Sequence, residues 1–145
     1  MKKFLAIMLV LVTVFACFVG CGKEEKKTLT VATSPDFPPF ESYNDKNEVI
    51  GIEIDILKLV CEELGYELDL QTMNFDAVLT GVSTKKYTVG ASGISVTPDR
   101  EENMLFTDPY CLAAQAIVVK EGSAITKKAD LEGKKVSVQL GTTAQ

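Results

Sequence analysis

The stretch 51–70, GIEIDILKLVCEELGYELDL, contains a helix signal followed at once by a strand signal. Its apolar residues recur near the 3.6-residue period of a helix, and Gly65 supplies a stop. The segment 66–70 then alternates apolar and polar side chains, as a half-buried strand does. A helix over about 53–64 that leads into a strand is the repeating unit of an α/β fold. The helical apolar residues are Ile52, Ile56, Leu57, Leu59, Val60 and Leu64.

The same alternation extends in both directions from this stretch. A β-prone run at 29–32 ends at Ser34-Pro35, and the proline-rich stretch through Phe40 is predicted as a loop. We therefore predict an α/β domain with a mainly parallel sheet. The other predicted elements are a helix over 75–85, a brief helix with Thr97 as N-cap and Pro98 at its first position, and strands at 88–91, 116–120 and 135–139.

The N-terminus accounts for much of the 46% hydrophobic content of these 145 residues. A basic pair, Lys2-Lys3, precedes an apolar run from Phe4 to Gly20, which predicts an export signal over residues 1–20. Its removal takes two lysines and no acid, so the net charge changes from −5 to −7. The remaining body is predicted to be small and acidic.

The end of this run resembles a bacterial lipobox, in which a cysteine after a small residue is lipidated and becomes the new N-terminus. Cys21 is the expected acceptor, although Phe18 departs from the pattern and Cys17 is a rival. An uncleaved anchor helix is the alternative. Residues 21–27 would then form the lipidated cysteine and a polar linker, with the body lipid-anchored on the outer face of the cytoplasmic membrane, or in the periplasm of a two-membrane bacterium.

Composition excludes several classes of function. The chain has no histidine, so it cannot form a Ser-His-Asp triad or a His-ligated zinc site. Its acidic balance disfavours nucleic-acid binding, and neither common glycine-rich nucleotide motif occurs. A binding protein without metal or cofactor fits better than an enzyme. Cys61, on the predicted apolar helix face, is expected to be a buried free thiol, with a disulfide to Cys111 as the alternative.

Six motifs, in order along the chain, resemble those of the extracellular amino-acid-binding proteins of ABC importers, solute-binding family 3. The resemblance implies a periplasmic-binding-protein-like (type II) fold, in which two α/β lobes close on an L-amino acid. The protein would be a monomer that delivers its ligand to a membrane permease and ATPase. The motifs are LTVAT (29–33), FPPFE (37–41), GIEID (51–55), SGISVTPDR (92–100), FTDPY (106–110) and QLGTT (139–143).

On this template, residues 28–115 are the first pass through lobe one, and residues 116–145 are the hinge crossing and the start of lobe two. The strand at 135–139 has neither a predicted partner nor a crossover helix, so we expect a C-terminally truncated chain. We also expect that the chain by itself binds ligand poorly, since a ligand would meet one wall only. The partner of the ligand's α-ammonium group would be an aspartate in the second lobe.

Arg100 is the main candidate binding residue. It is the only arginine, beside fourteen lysines, and a guanidinium makes two charge-assisted bonds to a carboxylate. By resemblance, Ser95 offers its hydroxyl to the α-carboxylate and Gly93, next to Ser92, offers backbone groups. Helix capping explains Thr97 without a ligand role.

The remaining candidates surround the same expected cleft. By resemblance, Phe37 stacks on the ligand, and Thr142 and Thr143 offer hydroxyls and the N–H groups of a helix start. Ser34 and Gln139 line the side-chain end. Ser34 stands where relatives that bind basic or amide side chains often carry aspartate, which lowers the expectation of lysine or arginine as ligand.

Three acidic residues in the motifs, Glu41, Glu53 and Asp55, are expected on solvated faces without a ligand role. Two other classes of function remain. One is an enzyme on the same fold, a cyclohexadienyl dehydratase or a murein-cleaving protein, and the other is a sensor ectodomain.

Overall fold

The computed structural model describes residues 26–145, and its centre is a parallel three-stranded sheet. The strands are β1 (Lys27–Thr33), β5 (Tyr66–Thr72) and β6 (Val89–Gly90), in the order β5-β1-β6. β1 pairs with β5 along its whole length, from Lys27 opposite Tyr66 to Thr33 opposite Thr72. This confirms the prediction of an α/β fold with a parallel sheet.

Helix α1 (Ile52–Leu64) covers the sheet and ends as predicted. Gly65 adopts a left-handed conformation with φ 71°, which costs glycine little and allows its N–H to cap the last turn. The core forms where α1 meets β1, with Val31, Ile54 and Leu57 buried together. The partly buried side chains packed around them are Leu29, Val49, Leu68, Leu70, Val89 and Ala91.

The predicted apolar face of α1 was partly wrong. The buried residues of the helix are Glu53, Ile54, Leu57 and Cys61, which follow one helical stripe. Five of the six apolar residues that defined the predicted face are exposed instead, because the sheet meets the helix on the Ile54 side. These five are Ile52, Ile56, Leu59, Val60 and Leu64.

Two further helices come after β5 and β6 in the chain. α2 (Phe75–Ser83) buries Phe75 and Val78, and α3 (Pro98–Glu101) is a single short turn. The Thr97 hydroxyl accepts from the Arg100 backbone N–H at 3.4 Å, which confirms the predicted N-cap. α3 therefore places Arg100 directly after the loop that leaves β6.

A small antiparallel sheet was missed by the sequence reading. Its strands are β2 (Asp36–Phe37), β3 (Glu41–Tyr43) and β4 (Val49–Ile50), in that order. The prolines of the stretch through Phe40 predict a loop instead. The prolines occupy the connection between β2 and β3, where no ladder N–H is needed, so two short strands form around them.

The predicted strands at 116–120 and 135–139 are wrong for this structure. The only regular element described after α3 is a short 3-10 turn, Lys128–Leu131. A strand needs a hydrogen-bonded neighbour, and neither segment has one among the described residues. Their side chains accordingly lie in solvent, and Val118 is 93% exposed.

The two cysteines of the described region are both free, Cys61 buried and Cys111 exposed, so the expected free thiol is confirmed. The predicted signal segment and Cys21 lie outside the described residues. Between residues 26 and 145, no helix has the length and apolar character needed to cross a membrane.

Candidate functional site

A cavity of about 300 Å³ lies beyond the carboxyl ends of β1 and β6. In parallel sheets this is the position where loops from neighbouring strands converge and ligands bind. Its volume lies at the lower end of the range of small-molecule sites. The lining residues come from β2 and β3, from the loop after β6, from α2 and α3, and from two later segments. They are Asp36, Phe37, Glu41, Phe75, Ser92, Gly93, Ser95, Arg100, Ala113, Ala114, Gln115, Gln139, Thr142, Thr143 and Ala144.

Arg100 is the positive charge of the cavity. Its Nη1 donates to the Ser95 carbonyl at 2.7 Å and its Nη2 to the Gly141 carbonyl at 2.9 Å. The guanidinium also lies over the Phe75 ring, 5.7 Å from the centroid. Within residues 26–145, no carboxylate approaches its nitrogens within 4.0 Å. Burial lowers the pKa of Arg100, so an anion beside it would relieve a real electrostatic cost.

Phe37 presents an aromatic face to the cavity, where the sequence analysis expected it. Its ring stacks on that of Phe40, with centroids 5.3 Å apart and planes 18° from parallel. Gly93 packs so close to the Phe37 ring that a Cβ there would come within 2.8 Å of it. The loop after β6 therefore needs glycine in order to hold the ring in place.

Two predicted contacts need correction. Ser34 is buried and does not line the cavity; its hydroxyl donates to Asp36 Oδ1 at 3.2 Å. The Gly93 N–H donates to both carboxyl oxygens of Glu53, each at 3.1 Å, so of its backbone polar groups only the carbonyl is left for a ligand. Ser92 is also buried. It connects the segments that follow β1 and β6, because its hydroxyl accepts from the Ser34 N–H at 3.0 Å.

Asp36 is a cavity residue that the sequence analysis missed. Its Oδ2 accepts from Gln139 Nε2 at 2.8 Å, and its Oδ1 accepts from Ser34. Ser34 and Gln139, which were expected to line the side-chain end of the cleft, thus both donate to the Asp36 carboxylate and orient it. The signal was available, because Asp36 directly precedes the FPPFE motif, in which Phe37 was the candidate residue.

The segment 139–143 reaches the cavity without forming the expected helix start. Gly141 N–H donates to the Gln145 side chain, and the Thr142 hydroxyl donates to the Gln139 carbonyl at 2.8 Å. The Thr143 hydroxyl accepts from Gln115 Nε2 at 2.9 Å. No helix is assigned between 139 and 145, so the expected N-terminal anion site is not formed by these residues.

The prediction that Glu41 and Glu53 lie on solvated faces was wrong, whereas Asp55 is exposed as expected. Glu41 is completely buried and Glu53 nearly so, and the two carboxyls lie within hydrogen-bonding reach of each other. Ser92 donates to Glu41 Oε1 at 3.1 Å, and the Tyr110 hydroxyl donates to Glu53. Burial, and then Glu53, raise the pKa of Glu41 to about 9.

Comparisons with known proteins agree with this geometry. The model of the bacterial extracellular solute-binding proteins, family 3, matches residues 29–140. The arginine-binding extracellular protein ArtP of Bacillus subtilis (strain 168) is 34% identical over 98% of this chain and 57% of its own length. The chain thus spans little more than half of this relative.

Solved structures show the same relationship. An ancestral arginine-binding protein bound to arginine superposes with a TM-score of 0.76 at 39% identity, covering 81% of this chain and 53% of that one. The arginine-bound form of domain 1 from TmArgBP gives a TM-score of 0.55 at 37% identity, covering 57% of this chain and 66% of that one. These named relatives are binding proteins rather than enzymes, and they have the type II periplasmic-binding-protein fold.

The family match covers most of the chain, and three of the six sequence motifs, 37–41, 92–100 and 139–143, contribute lining residues to the cavity. The chain belongs to the bacterial extracellular solute-binding proteins, family 3.

Proposed function

We propose that this chain forms the ligand-binding wall of an amino-acid-binding protein, and that the ligand has a positively charged side chain. The observation that carries the proposal is Arg100, a partly buried guanidinium in the cavity without a carboxylate partner among residues 26–145. An amino acid brings the missing carboxylate, and the planar guanidinium can accommodate both of its oxygens.

The α-carboxylate would lie beside Arg100, in reach of the Ser95 hydroxyl. Because a desolvated ion must be paired, this contact would supply much of the affinity. The Phe37 ring would cover the aliphatic part of the ligand, as aromatic rings commonly do in small-molecule sites. Thr142 and Thr143 border the same space.

The positive side chain is inferred from Asp36. Its carboxylate lines the same cavity as Arg100, so the cavity has a cationic and an anionic group. An arginine or lysine ligand would pair both. The expectation against a basic ligand rested on Ser34, whereas the structure shows Ser34 donating to an aspartate two residues later. The relatives named above are arginine-binding proteins, which supports the same ligand class.

The biological setting is part of the proposal. Lipidation at Cys21 would hold the protein at the outer membrane surface, and a permease with its ATPase would receive the ligand after lobe closure. The family match and the extracellular relative support export and amino-acid capture. One relative's domain 1 was solved in an arginine-bound form, which shows for that protein that one domain can hold the ligand.

Calorimetry of the full-length protein against a panel of amino acids tests the proposal. We expect arginine or lysine to bind, Arg100→Ala to weaken binding about 100-fold or more, and Arg100→Lys to recover only part of it, since losing one partner of a desolvated charge pair costs about 2–5 kcal/mol. Lys58→Ala is the control, because that lysine forms an exposed ion pair with Asp55 on α1.

The charge of the ligand's side chain is tested separately. Asp36→Asn should weaken arginine binding about tenfold and leave glutamine binding nearly unchanged, because only arginine loses an ion pair. Asp45→Asn, in the exposed turn between β3 and β4, makes the same charge change outside the cavity. No binding by any amino acid would contradict the function; equal loss for arginine and glutamine would contradict only the basic ligand.

A further inference from the structure

We propose that Glu41 and Glu53 share one proton and that this carboxyl pair is a positioning device, holding the Ser92–Gly93 loop in the conformation that receives the ligand. The inference rests on the proposed function and adds a proton to it. Neither side chain is offered as a ligand contact.

The pair is defined by two buried acids in contact. Glu41 is fully buried and Glu53 is 5% exposed. Two carboxylates in contact within a protein interior cannot both be ionised, because like charges repel strongly where water is excluded. The carboxyl pair therefore holds at least one proton at neutral pH.

The hydrogen bonds assign the proton to Glu41. Glu53 accepts from the Gly93 N–H and from the Tyr110 hydroxyl, so both of its oxygens already have donors. Glu41 accepts only from Ser92, and its Oε2 has no partner among the described residues. When Glu41 is protonated, its carboxyl O–H can donate a charge-assisted hydrogen bond to the Glu53 carboxyl.

The surrounding charges favour this assignment. Burial is the largest cause of the raised pKa of Glu41, and negative charge on Glu53 and Asp36 raises it further, to about 9. Arg100 also lines the cavity, and no carboxylate among residues 26–145 forms an ion pair with it. Among residues 26–145, the Tyr110 hydroxyl also contacts the pair, through Glu53.

The consequence lies in the loop. Ser92 is held by Glu41 and Gly93 by Glu53, so two consecutive residues of the cavity wall depend on one shared proton. Gly93 in turn packs against the Phe37 ring. Ionisation of Glu41 would put two negative charges in contact, and the loop and the aromatic wall would lose their common support.

The pair predicts a pH dependence with a definite sign. The folded protein keeps Glu41 protonated up to about pH 9, whereas an unfolded chain releases that proton near the ordinary value of 4.5. The unfolded state therefore binds fewer protons between these values, and the stability of the folded state falls as pH rises through this window. Ligand affinity should be retained until Glu41 itself ionises.

Glu41→Gln in the full-length protein is the central test, since a glutamine can donate to Glu53 and accept from Ser92 without titrating. The arginine affinity of each protein at pH 7 is the reference for its affinity at pH 10. Between these two pH values wild type should lose about tenfold more affinity than the variant, because a group with a pKa of about 9 is roughly nine-tenths ionised at pH 10. We compare the ratio of the arginine affinities of the two proteins, because the ligand's own ammonium group also titrates in this pH range and affects both proteins equally.

Two further variants separate positioning from folding. Glu53→Gln should weaken binding about tenfold at pH 7, by loss of charge-assisted bonds to Gly93 and Tyr110, and should lower the pKa of Glu41 in a carbon-13 carboxyl titration. Glu62→Gln, on the exposed side of α1, is the matched control and should change neither.

The outcomes remain distinguishable if no ligand is found. Urea unfolding of wild type and Glu41→Gln from about pH 5 to pH 9 needs no ligand, and the variant should gain relative stability as pH rises. If the free energy of unfolding changes with pH equally in the two proteins, the shared proton is overturned. The positioning role would be overturned if the two proteins differ in the pH dependence of stability but their ratio of arginine affinities is the same at pH 10 as at pH 7. If nothing binds, the Gly93 amide resonance is followed instead, and a resonance that does not shift as Glu41 ionises would overturn the role.

Discussion

The two parts of the described chain differ in how they use apolar residues. Residues 27–101 contain every strand and α-helix, and the core of Val31, Ile54 and Leu57 lies there. Residues 104–145 contain comparable β-prone runs, yet Val118 and Val136 are exposed and only a short 3-10 turn forms. The difference teaches that an apolar β-prone run becomes a strand only where a partner lies beside it.

Each part carries one cysteine, which provides the largest predicted contrast. In the polypeptide 26–145, we expect Cys111 to react with a thiol reagent at least about 100-fold faster than Cys61, because Cys61 becomes accessible only when the core opens. Mass spectrometry of timed labelling measures both rates in one sample. Similar rates would show that the first part is no better ordered than the second.

Core truncation is expected to give the next largest effect. Ile54→Ala should lower the free energy of unfolding by about 2–5 kcal/mol, since a fully buried side chain is lost and a cavity remains. Val118→Ala, the matched change in the exposed part, should stay within about 0.5 kcal/mol. Urea denaturation of the polypeptide 26–145 followed by circular dichroism measures both. An equal cost for the two variants would contradict the comparison.

The smallest contrast concerns two glycines with positive φ. Gly51, at φ 139°, would bring a Cβ within 2.1 Å of the Phe40 carbonyl oxygen, whereas Gly133, at φ 70°, has nothing within 4 Å. Gly51→Ala should cost about 3 kcal/mol through strain and steric overlap, and Gly133→Ala about 1 kcal/mol through backbone strain alone. Thermal unfolding ranks the two, and a Gly133 effect as large as that of Gly51 would disprove the ranking.

Much of the fold could be predicted because its signals are local. The Gly65 stop, the Thr97 cap and the alternation of 66–70 each depend on a few neighbouring residues, and each has its expected counterpart in the structure. Arg100 was identifiable as well, since a single arginine among fourteen lysines implies a need for guanidinium geometry.

The candidate site was harder to predict, because its polar contacts join distant parts of the chain. Ser34 was read as a cavity residue, but the residue that faces the cavity is Asp36, oriented from a separation of 103 residues by Gln139. Gly93 was expected to offer backbone groups to a ligand, but a glutamate 40 residues earlier accepts its N–H. Spacing along the sequence contains no record of such pairings.

The sequence by itself determined the order of the parallel strands and the helices between them, from β1 to α3, the family, and the presence of one guanidinium suited to a carboxylate. Only the tertiary structure decided which face of α1 is buried, that Asp36 lines the cavity, and that Glu41 and Glu53 are in contact. Local periodicity and capping depend on neighbours within one or two turns, so they can be read from the chain. Burial and proton sharing depend on which distant groups exclude water from each other, and folding alone establishes that.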